Sequence, residues 1–221
     1  SHASLSSREQ QVLYYQYPSM EKYDIKYLKI DLSAEAGSRY LSGTSTTVAV
    51  AVQPLDSFII ELRNNMIVDS VFINGVKKVF TRGSDFIYIP LSPALPAGAT
   101  VTALFYYNGT ASSGGVFAGT VASNGLTYTA TLSESYQARE WFPAKQILSD
   151  KIDSTEIWIT TSAINKVGSN GLLIAAVDSP NNRKLYKWKT RYPMNYYLPS
   201  ISVGNYMQYI NYAKPAAMAP D

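Results

Sequence analysis

The residues best suited to chemistry are concentrated between positions 131 and 154. A single carboxylate near the start, Glu134, is followed by a Trp-Phe-Pro sequence at residues 141–143. Because segments with strand patterns lie on both sides, the stretch is expected to form a loop on a β scaffold, where functional surfaces are commonly built. The same stretch also carries a set of side chains able to form salt bridges: Arg139, Lys145, Asp150, Lys151 and Asp153.

Taken alone, these residues support structural roles as readily as functional ones. Glu134 can be a solvated loop carboxylate. Arg139 could act as an anion clamp, but a structural ion pair with Asp150 or Asp153 is favoured. Residues 141–143 are expected to pack in the core beneath the loop that positions Glu134.

The composition excludes several classes of protein. The 221 residues contain no cysteine and one histidine, His2, so neither a thiolate site nor a two-histidine zinc site can be built from this chain. The 19 Lys and Arg residues are scattered and the net charge is only +3, which argues against nucleic-acid binding. No apolar run approaches the roughly 18 to 20 residues needed to span a bilayer.

Alternating apolar and polar residues predict an all-β fold. Strands are expected at residues 23–32, 41–52, 57–62, 68–73, 86–91, 99–107, 155–162, 172–177, 185–190, 196–198 and 201–206. In the first of these, Leu28, Ile30 and Leu32 are predicted on one face and Tyr23, Ile25 and Tyr27 on the other. Short strands without a helical period indicate one large, multi-stranded, sandwich-like β domain.

The connecting segments carry their own signals. Asn74-Gly75 predicts a tight hairpin, because both residues tolerate positive φ. Residues 108–123, rich in Gly, Ser and Ala and containing Gly114-Gly115, are expected to form a mobile surface loop. Residues 12–15 suggest an edge strand or a docking arm.

Short motifs in a fixed order extend over almost the whole chain. They are Tyr23-Asp24, Gly43 in a strand turn, residues 71–75, Ala138-Arg139-x-Trp141-Phe142-Pro143, Lys151, Ser169-Asn170-Gly171, Trp188, Pro193-Met194, Tyr197-Leu198 and Val203-Gly204. This order resembles the N-terminal domain of the aminopeptidase N family of zinc metallopeptidases, from about residue 23 to 208. The resemblance implies a saddle-shaped β domain that packs on a thermolysin-like catalytic domain.

One segment departs from the family pattern. Where many members have P-C-x-D-x-P-x-x-K, this chain has Ala144, Gln146 and Leu148 at the Cys, Asp and second Pro positions. This difference is interpreted as the mark of a divergent subgroup.

The resemblance also defines what this chain lacks. The family's zinc centre uses H-E-x-x-H with a downstream Glu, and its exopeptidase motif is G-x-M-E-N; neither occurs in the 221 residues. The chain is therefore expected to contain no catalytic or metal-binding residue, with zinc bound in a missing C-terminal catalytic domain that is its partner. Residues 1–22 would form an N-terminal arm or leader, residues 23–212 the β domain, and residues 213–221 the start of a linker.

Two residues are expected to bind substrate. In the family, a Glu or Gln just before the A-R-x-W-F-P segment binds the free amino terminus of the peptide, and Glu134 matches that position. A carboxylate facing an ammonium group forms a charge-assisted hydrogen bond and would reject substrates that lack a free amine. Tyr136 is expected to line the substrate cleft.

Other functions remain open from the sequence. The 18 tyrosines would also suit a carbohydrate-binding or adhesion module, with one exposed ring in each of the pairs Tyr14-Tyr15, Tyr106-Tyr107 and Tyr196-Tyr197. A stand-alone scaffold domain is a third reading. The polar start at Ser1 suits an exported protein whose signal peptide has been removed, and equally a trimmed chain.

Overall fold

The computed structural model describes residues 18–207, which are almost entirely β, as the sequence predicts. A 3₁₀ helix at Pro18–Lys22 precedes the first strand, and a second lies at Ala138–Glu140. The strands are β1 (Tyr23–Ala34), β2 (Tyr40–Ala51), β3 (Leu55–Glu61), β4 (Met66–Ile73), β5 (Val76–Lys78), β6 (Thr81–Gly83), β7 (Phe86–Leu95), β8 (Thr100–Thr110), β9 (Val116–Thr120), β10 (Thr127–Thr131), β11 (Lys151–Ile152), β12 (Ser154–Ser162), β13 (Lys166–Ser169), β14 (Leu172–Ser179), β15 (Arg183–Thr190), β16 (Met194–Asn195) and β17 (Ile201–Gly204).

The largest sheet has eight strands in the order β14-β15-β12-β1-β2-β8-β4-β5. Only the β1–β12 pair in this sheet is parallel; its other pairs are antiparallel. Its central strands alternate between buried and partly exposed residues, so one face packs on the core and the other meets solvent. Smaller sheets, β13-β17-β10-β9 and β3-β7-β6, supply further residues to the core.

A bulge in β1 changes which side chains reach the core. The pairing with β2 shifts register between Ile25 and Tyr27. Tyr23 and Ile25 are consequently buried together with Leu28, Ile30 and Leu32, whereas strict alternation predicted the first two on the opposite face. The extra residue at a bulge resets the period of two and therefore turns both ends of the strand towards one core.

The predicted mobile loop at residues 108–123 contains the end of β8 and all of β9. Strand β8 continues to Thr110, and β9 pairs with β10 in the four-stranded sheet. The small residues between these strands allow close packing: a Cβ on Gly115 would lie 2.7 Å from the Cβ of Glu140. The segment is therefore not one continuous loop, and its mobility stays a prediction.

Other predictions are confirmed or corrected locally. Asn74 and Gly75 have φ of 50° and 80° in the β4–β5 turn, as the hairpin signal predicts. Residues 196–198 form a turn after β16, where a strand was expected. The predicted arm at residues 12–15 and the linker at residues 213–221 lie outside the described residues.

Gly43 provides a test of how closely β2 approaches β1 in the large sheet. It lies within β2, opposite Leu32 of β1, rather than in a strand turn. Its φ is 150°, and an added Cβ would meet the carbonyl oxygen of Asp31 at 2.2 Å. We expect Gly43→Ala to lower the free energy of unfolding by about 1 to 3 kcal/mol, measured by urea denaturation. Gly83→Ala is the matched control, because no atom lies within 4 Å of its added Cβ; equal losses in the two variants would contradict this explanation.

Candidate functional site

Glu134 lies at the start of a turn that follows β10, and its side chain is exposed. The residues on either side of it are held by the core. The backbone carbonyl of Ser133 accepts a hydrogen bond from Gln137 N at 3.0 Å, and its hydroxyl accepts one from the Trp141 indole at 3.0 Å. The carbonyl of Ser135 accepts a hydrogen bond from the Tyr196 hydroxyl at 2.7 Å. The structure thus presents an exposed carboxylate between two anchored neighbours.

Tyr136 lies in the same turn and is partly buried. Its ring stacks on that of Tyr196, with 6.3 Å between the centroids. Tyr196 is itself buried, and burial raises the pKa of its hydroxyl, so this group remains a neutral hydrogen-bond donor to the Ser135 carbonyl. The structure therefore brings the two predicted substrate-binding residues, Glu134 and Tyr136, together on one turn.

The Trp-Phe-Pro sequence forms the floor beneath this turn, as predicted. Residues 141–143 are all buried, and the rings of Trp141 and Phe142 meet edge to face at 4.7 Å. The Tyr107 hydroxyl of β8 donates to the Trp141 carbonyl at 3.1 Å. The large sheet thereby contacts the backbone that supports the Glu134 turn.

A buried ion pair lies beside this floor. Arg139 is a structural ion-pairing residue, as expected, but its partner is neither Asp150 nor Asp153. Its guanidinium donates to Glu61 of β3 at 3.0 Å, and Gln146 donates to the same carboxylate oxygen at 2.9 Å. The chain brings Glu61 here because its backbone forms an isolated antiparallel bridge with Ala144.

Burial dominates the electrostatics of Glu61. The side chain is fully buried, and desolvation raises its pKa to about 7, although Arg139 and Gln146 both favour the ionised form. The other carboxylate oxygen, Oε1, has no hydrogen-bond partner among the described residues. The Glu61 carboxyl therefore changes charge near neutral pH, beside the buried residues that support the turn.

The site loop itself contributes a second buried carboxylate. Glu140 is buried, accepts a hydrogen bond from Arg63 Nε at 2.8 Å, and accepts another from the Ser112 hydroxyl. Arg63 also pairs with Asp85 at 2.8 Å. These contacts connect the loop to the segments after β3, before β7 and after β8.

The remaining predicted salt bridges are distributed along the rest of the loop. Lys145 and Asp150 form a buried pair at 2.5 Å, and the Lys145 ammonium also donates to the carbonyl of Tyr23. Asp153 pairs with Lys26 of β1 at the surface. The segment that departs from the family pattern is therefore anchored to β1 through Lys145.

Three apolar side chains of the four-stranded sheet and its connections are exposed. Phe117 of β9, Leu132 directly after β10, and Leu198 before β17 are all exposed. They belong to the four-stranded sheet or to its connections, on which the Glu134 turn is built.

Sequence reasoning missed Glu61 and Glu140. A signal for Glu61 was present, because it is the only charged residue in the apolar run from Phe58 to Leu62, and such a position requires a buried partner. Nothing in the local pattern identified that partner, since Arg139 lies 78 residues further along the chain. Glu140 was overlooked because it is the unspecified position of the motif at residues 138–143, of which only the other residues were interpreted.

The described residues do not form a zinc site. No three His, Cys, Asp or Glu side chains in residues 18–207 are grouped so that they could hold a metal ion. Neither of the helices described is long and apolar enough to cross a membrane.

Comparison with known proteins identifies the class of fold. Neither the protein-family models nor the curated proteins contain a match to the chain. Among solved structures, it is similar to the M1 zinc metallopeptidase from Deinococcus radiodurans, with 24% identity and a TM-score of 0.72. A mutant of that enzyme bound to a Tyr-Ser-Ala substrate gives 23% identity and a TM-score of 0.71.

Each of these alignments covers 83% of this chain and 42% of the other. The chain therefore has the fold of one part of an M1 zinc metallopeptidase and spans less than half the length of those chains. At fold level this agrees with the resemblance in the sequence. The assignment to a divergent subgroup stays a prediction.

Proposed function

We propose that this chain is the non-catalytic N-terminal β domain of a zinc aminopeptidase, in which Glu134 binds the free amino terminus of a peptide substrate. The observation that carries the proposal is the exposed Glu134 carboxylate, held between the anchored residues Ser133 and Ser135. A carboxylate on a fixed backbone can bind an ammonium group at a small cost in conformational entropy, because the loop is already ordered.

The remainder of the site supports the same role. Tyr136 extends from the same turn and can form one wall of the substrate cleft, with its ring fixed by Tyr196. The exposed side chains of Phe117, Leu132 and Leu198 would be covered by a catalytic domain, which would supply zinc and complete the cleft. Because the similar metallopeptidases are more than twice as long as the aligned region, this partner would follow in the same polypeptide.

The first experiment is to read the coding sequence beyond Asp221. A continuous reading frame containing G-x-M-E-N, then H-E-x-x-H and a downstream Glu, would support the proposal. A stop codon near Asp221 would overturn it, as would chelator-sensitive hydrolysis of aminoacyl substrates by the purified 221-residue chain. In either of those cases, binding to a glycan array would test the carbohydrate-binding alternative, in which the exposed Tyr106 ring is the first candidate.

In the full-length protein, we expect Glu134→Ala to reduce kcat/KM for substrates with a free amine by about 10-fold to 150-fold. This range corresponds to one hydrogen bond to a charged group, about 1.5 to 3 kcal/mol. Most of the effect should appear in KM, because the ammonium group is bound in both ground and transition states. Steady-state kinetics with aminoacyl substrates measures it.

Two variants serve as controls. Glu134→Gln keeps the hydrogen-bond acceptor without the charge and should retain more activity than Glu134→Ala. Glu21→Ala removes another exposed carboxylate and should leave the kinetics unchanged. Glu134→Ala kinetics equal to those of the unaltered enzyme would remove Glu134 from the site.

A further inference from the structure

Four asparagines are each followed directly by a glycine: Asn74, Asn108, Asn124 and Asn170. In such a pair the backbone nitrogen of the glycine can attack the side-chain carbon Cγ of the asparagine, because no Cβ on the glycine hinders its approach. The N–Cγ bond forms, the bond from Cγ to Nδ2 breaks, and the proton on the glycine nitrogen leaves with the amide group as ammonia. Water then opens the resulting cyclic imide to aspartate or isoaspartate. In a folded chain the rate depends on whether the two reacting groups are free to meet.

Two of these asparagines are held by hydrogen bonds to residues far along the chain. The Asn74 side chain bonds two backbone groups of β8, including Thr102 N at 2.7 Å. The Asn170 side chain donates to the Leu198 carbonyl at 3.0 Å and accepts from Ser200 N at 2.7 Å. These partners are 26 to 30 residues away in sequence, so either side chain is released only when separate parts of the fold come apart.

Asn108 is fixed within the large sheet. Its side chain donates to Asp69 at 2.9 Å, 39 residues away in sequence. Gly109, which would supply the attacking nitrogen, pairs with Leu41 of β2 on one side and with Met66 of β4 on the other. Reaction at Asn108 would therefore require β8 to separate from its neighbouring strands.

The restraints on Asn124 lie within its own turn, at residues 121–126 between β9 and β10. Asn124 and Gly125 are both exposed, and a Cβ on Gly125 would have no atom within 4 Å. Among the described residues, the only hydrogen bond of the Asn124 side chain is accepted from Leu126 N at 3.0 Å. Gly125 N donates to the Val121 carbonyl at 2.8 Å. Opening of this one turn frees both reacting groups, and exposed turns open at a low cost in free energy.

We propose that Asn124 is a site of spontaneous deamidation, in which the Gly125 nitrogen displaces the side-chain amide and water completes the conversion to aspartate or isoaspartate. The product places a carboxylate on the wall of a cavity of about 680 Å³ that also contains Glu35, and it lowers the net charge of +3 by one. The isoaspartyl product lengthens the main chain by one carbon atom. The hydrogen bonds that close this short turn then lose their spacing, so the turn loosens.

Peptide mapping of the folded protein tests this proposal without depending on the role of Glu134. The protein, with any sequence that follows Asp221 included, is incubated at mildly alkaline pH in isotopically labelled water. Chymotrypsin, which can cut after Phe117, then separates Asn108 from Asn124. Deamidation at Asn124 should be at least about tenfold faster than at any of the other three asparagines. The product should contain labelled oxygen, because water opens the ring.

Unfolding and two matched variants separate the effect of the fold from that of the dipeptide. In urea all four sites should react at similar rates, because each is followed by glycine. Asn124→Gln should prevent the modification at this position, since glutamine would have to close a larger ring. Asn74→Gln, in another exposed turn, should leave the rate at Asn124 unchanged.

Hydrogen exchange reports the consequence for the turn. After incubation, exchange across residues 121–127 should accelerate in the unaltered protein and not in Asn124→Gln. Far-UV circular dichroism shows whether each protein stays folded during the incubation.

Several results would overturn the proposal. Similar rates at all four sites in the folded protein would do so, as would faster reaction at another asparagine. An Asn124 that stays intact in the folded protein but reacts in urea would show that the turn does not open as described. A modification that gains no labelled oxygen would exclude the cyclic-imide route.

Discussion

Replacing Arg139 with methionine is expected to lower the free energy of unfolding by about 3 to 5 kcal/mol at pH 8. Methionine keeps the apolar volume of the side chain but removes the cation that faces Glu61 at 3.0 Å. At pH 8 the Glu61 carboxylate is mostly ionised, because its pKa is about 7. Without the guanidinium, which favours the ionised form, the pKa of Glu61 rises further, so the variant must either bury an unpaired carboxylate or take up a proton on folding.

The controls for this prediction separate the ion pair from general disruption. At pH 5 the loss should be smaller, since Glu61 can take up a proton and become neutral. The double variant Arg139→Met with Glu61→Gln should recover much of the stability at pH 8, because no buried charge remains at this position. Lys22→Met, which removes a solvent-exposed pair with Asp56, should cost no more than about 1 kcal/mol. A loss that is independent of pH and not recovered in the double variant would contradict this account.

The unaltered chain should show the matching pH dependence. Glu61 has a higher pKa in the folded chain, about 7, than its ordinary value of 4.5. Folding therefore favours its protonated form, and its contribution to stability is fully present below pH 4.5 and is lost as pH rises through 7. The stability difference between the unaltered chain and Glu61→Gln should fall by on the order of 3 kcal/mol over this window. Urea denaturation at pH 4.5, 6 and 8 measures this difference; parallel pH profiles for the two proteins would rule it out.

Trp141→Ala should have an effect of similar size for a different reason. The indole is fully buried, packs against Phe142, and donates to the Ser133 hydroxyl. Truncation leaves a large cavity and a serine without its partner, and we expect a loss of about 3 to 5 kcal/mol. Denaturant unfolding measures the loss, and tryptophan fluorescence should change because this residue is one of only three tryptophans.

The same variant should also affect the turn that carries Glu134. Because Ser133 immediately precedes Glu134, amide hydrogen exchange across residues 133–137 should accelerate in Trp141→Ala more than exchange in the β4–β5 hairpin. Trp141→Phe should show a smaller loss of stability, and Val79→Ala, at an exposed loop position, should be within about 0.5 kcal/mol of the unaltered chain. A Trp141→Ala protein as stable as Val79→Ala would show that the floor of the site is not formed as described.

Some features of this protein follow from local sequence. Alternation with a period of two predicted most of the strands, because a sheet with one buried face requires that pattern wherever it is regular. Asn74-Gly75 predicted its hairpin because few other pairs of residues accept the required dihedral angles. The burial of residues 141–143 and the loop position of Glu134 also followed from residue type and from the neighbouring strands.

Tertiary structure alone decided where regular alternation breaks. The bulge in β1 moved Tyr23 and Ile25 to the core face, and a one-residue shift of this kind is fixed by the neighbouring strand rather than by the residues themselves. The glycines at residues 114–115 proved to allow close packing against the site loop, which depends on what lies opposite them. The apolar run in β14 was predicted only as a strand, and its exposure depends on its place at the sheet edge.

The same distinction applies to the candidate site. Sequence could place Glu134 and Tyr136 on one loop, because they are two residues apart. It could not pair Arg139 with Glu61, because that contact requires β3 and the loop to meet across 78 residues of chain. Two nearer aspartates were plausible partners on charge alone, but the fold directs one to Lys145 and the other to Lys26. Residue type and spacing determine which side chains could interact, whereas the packing of strands distant in sequence determines which of them meet.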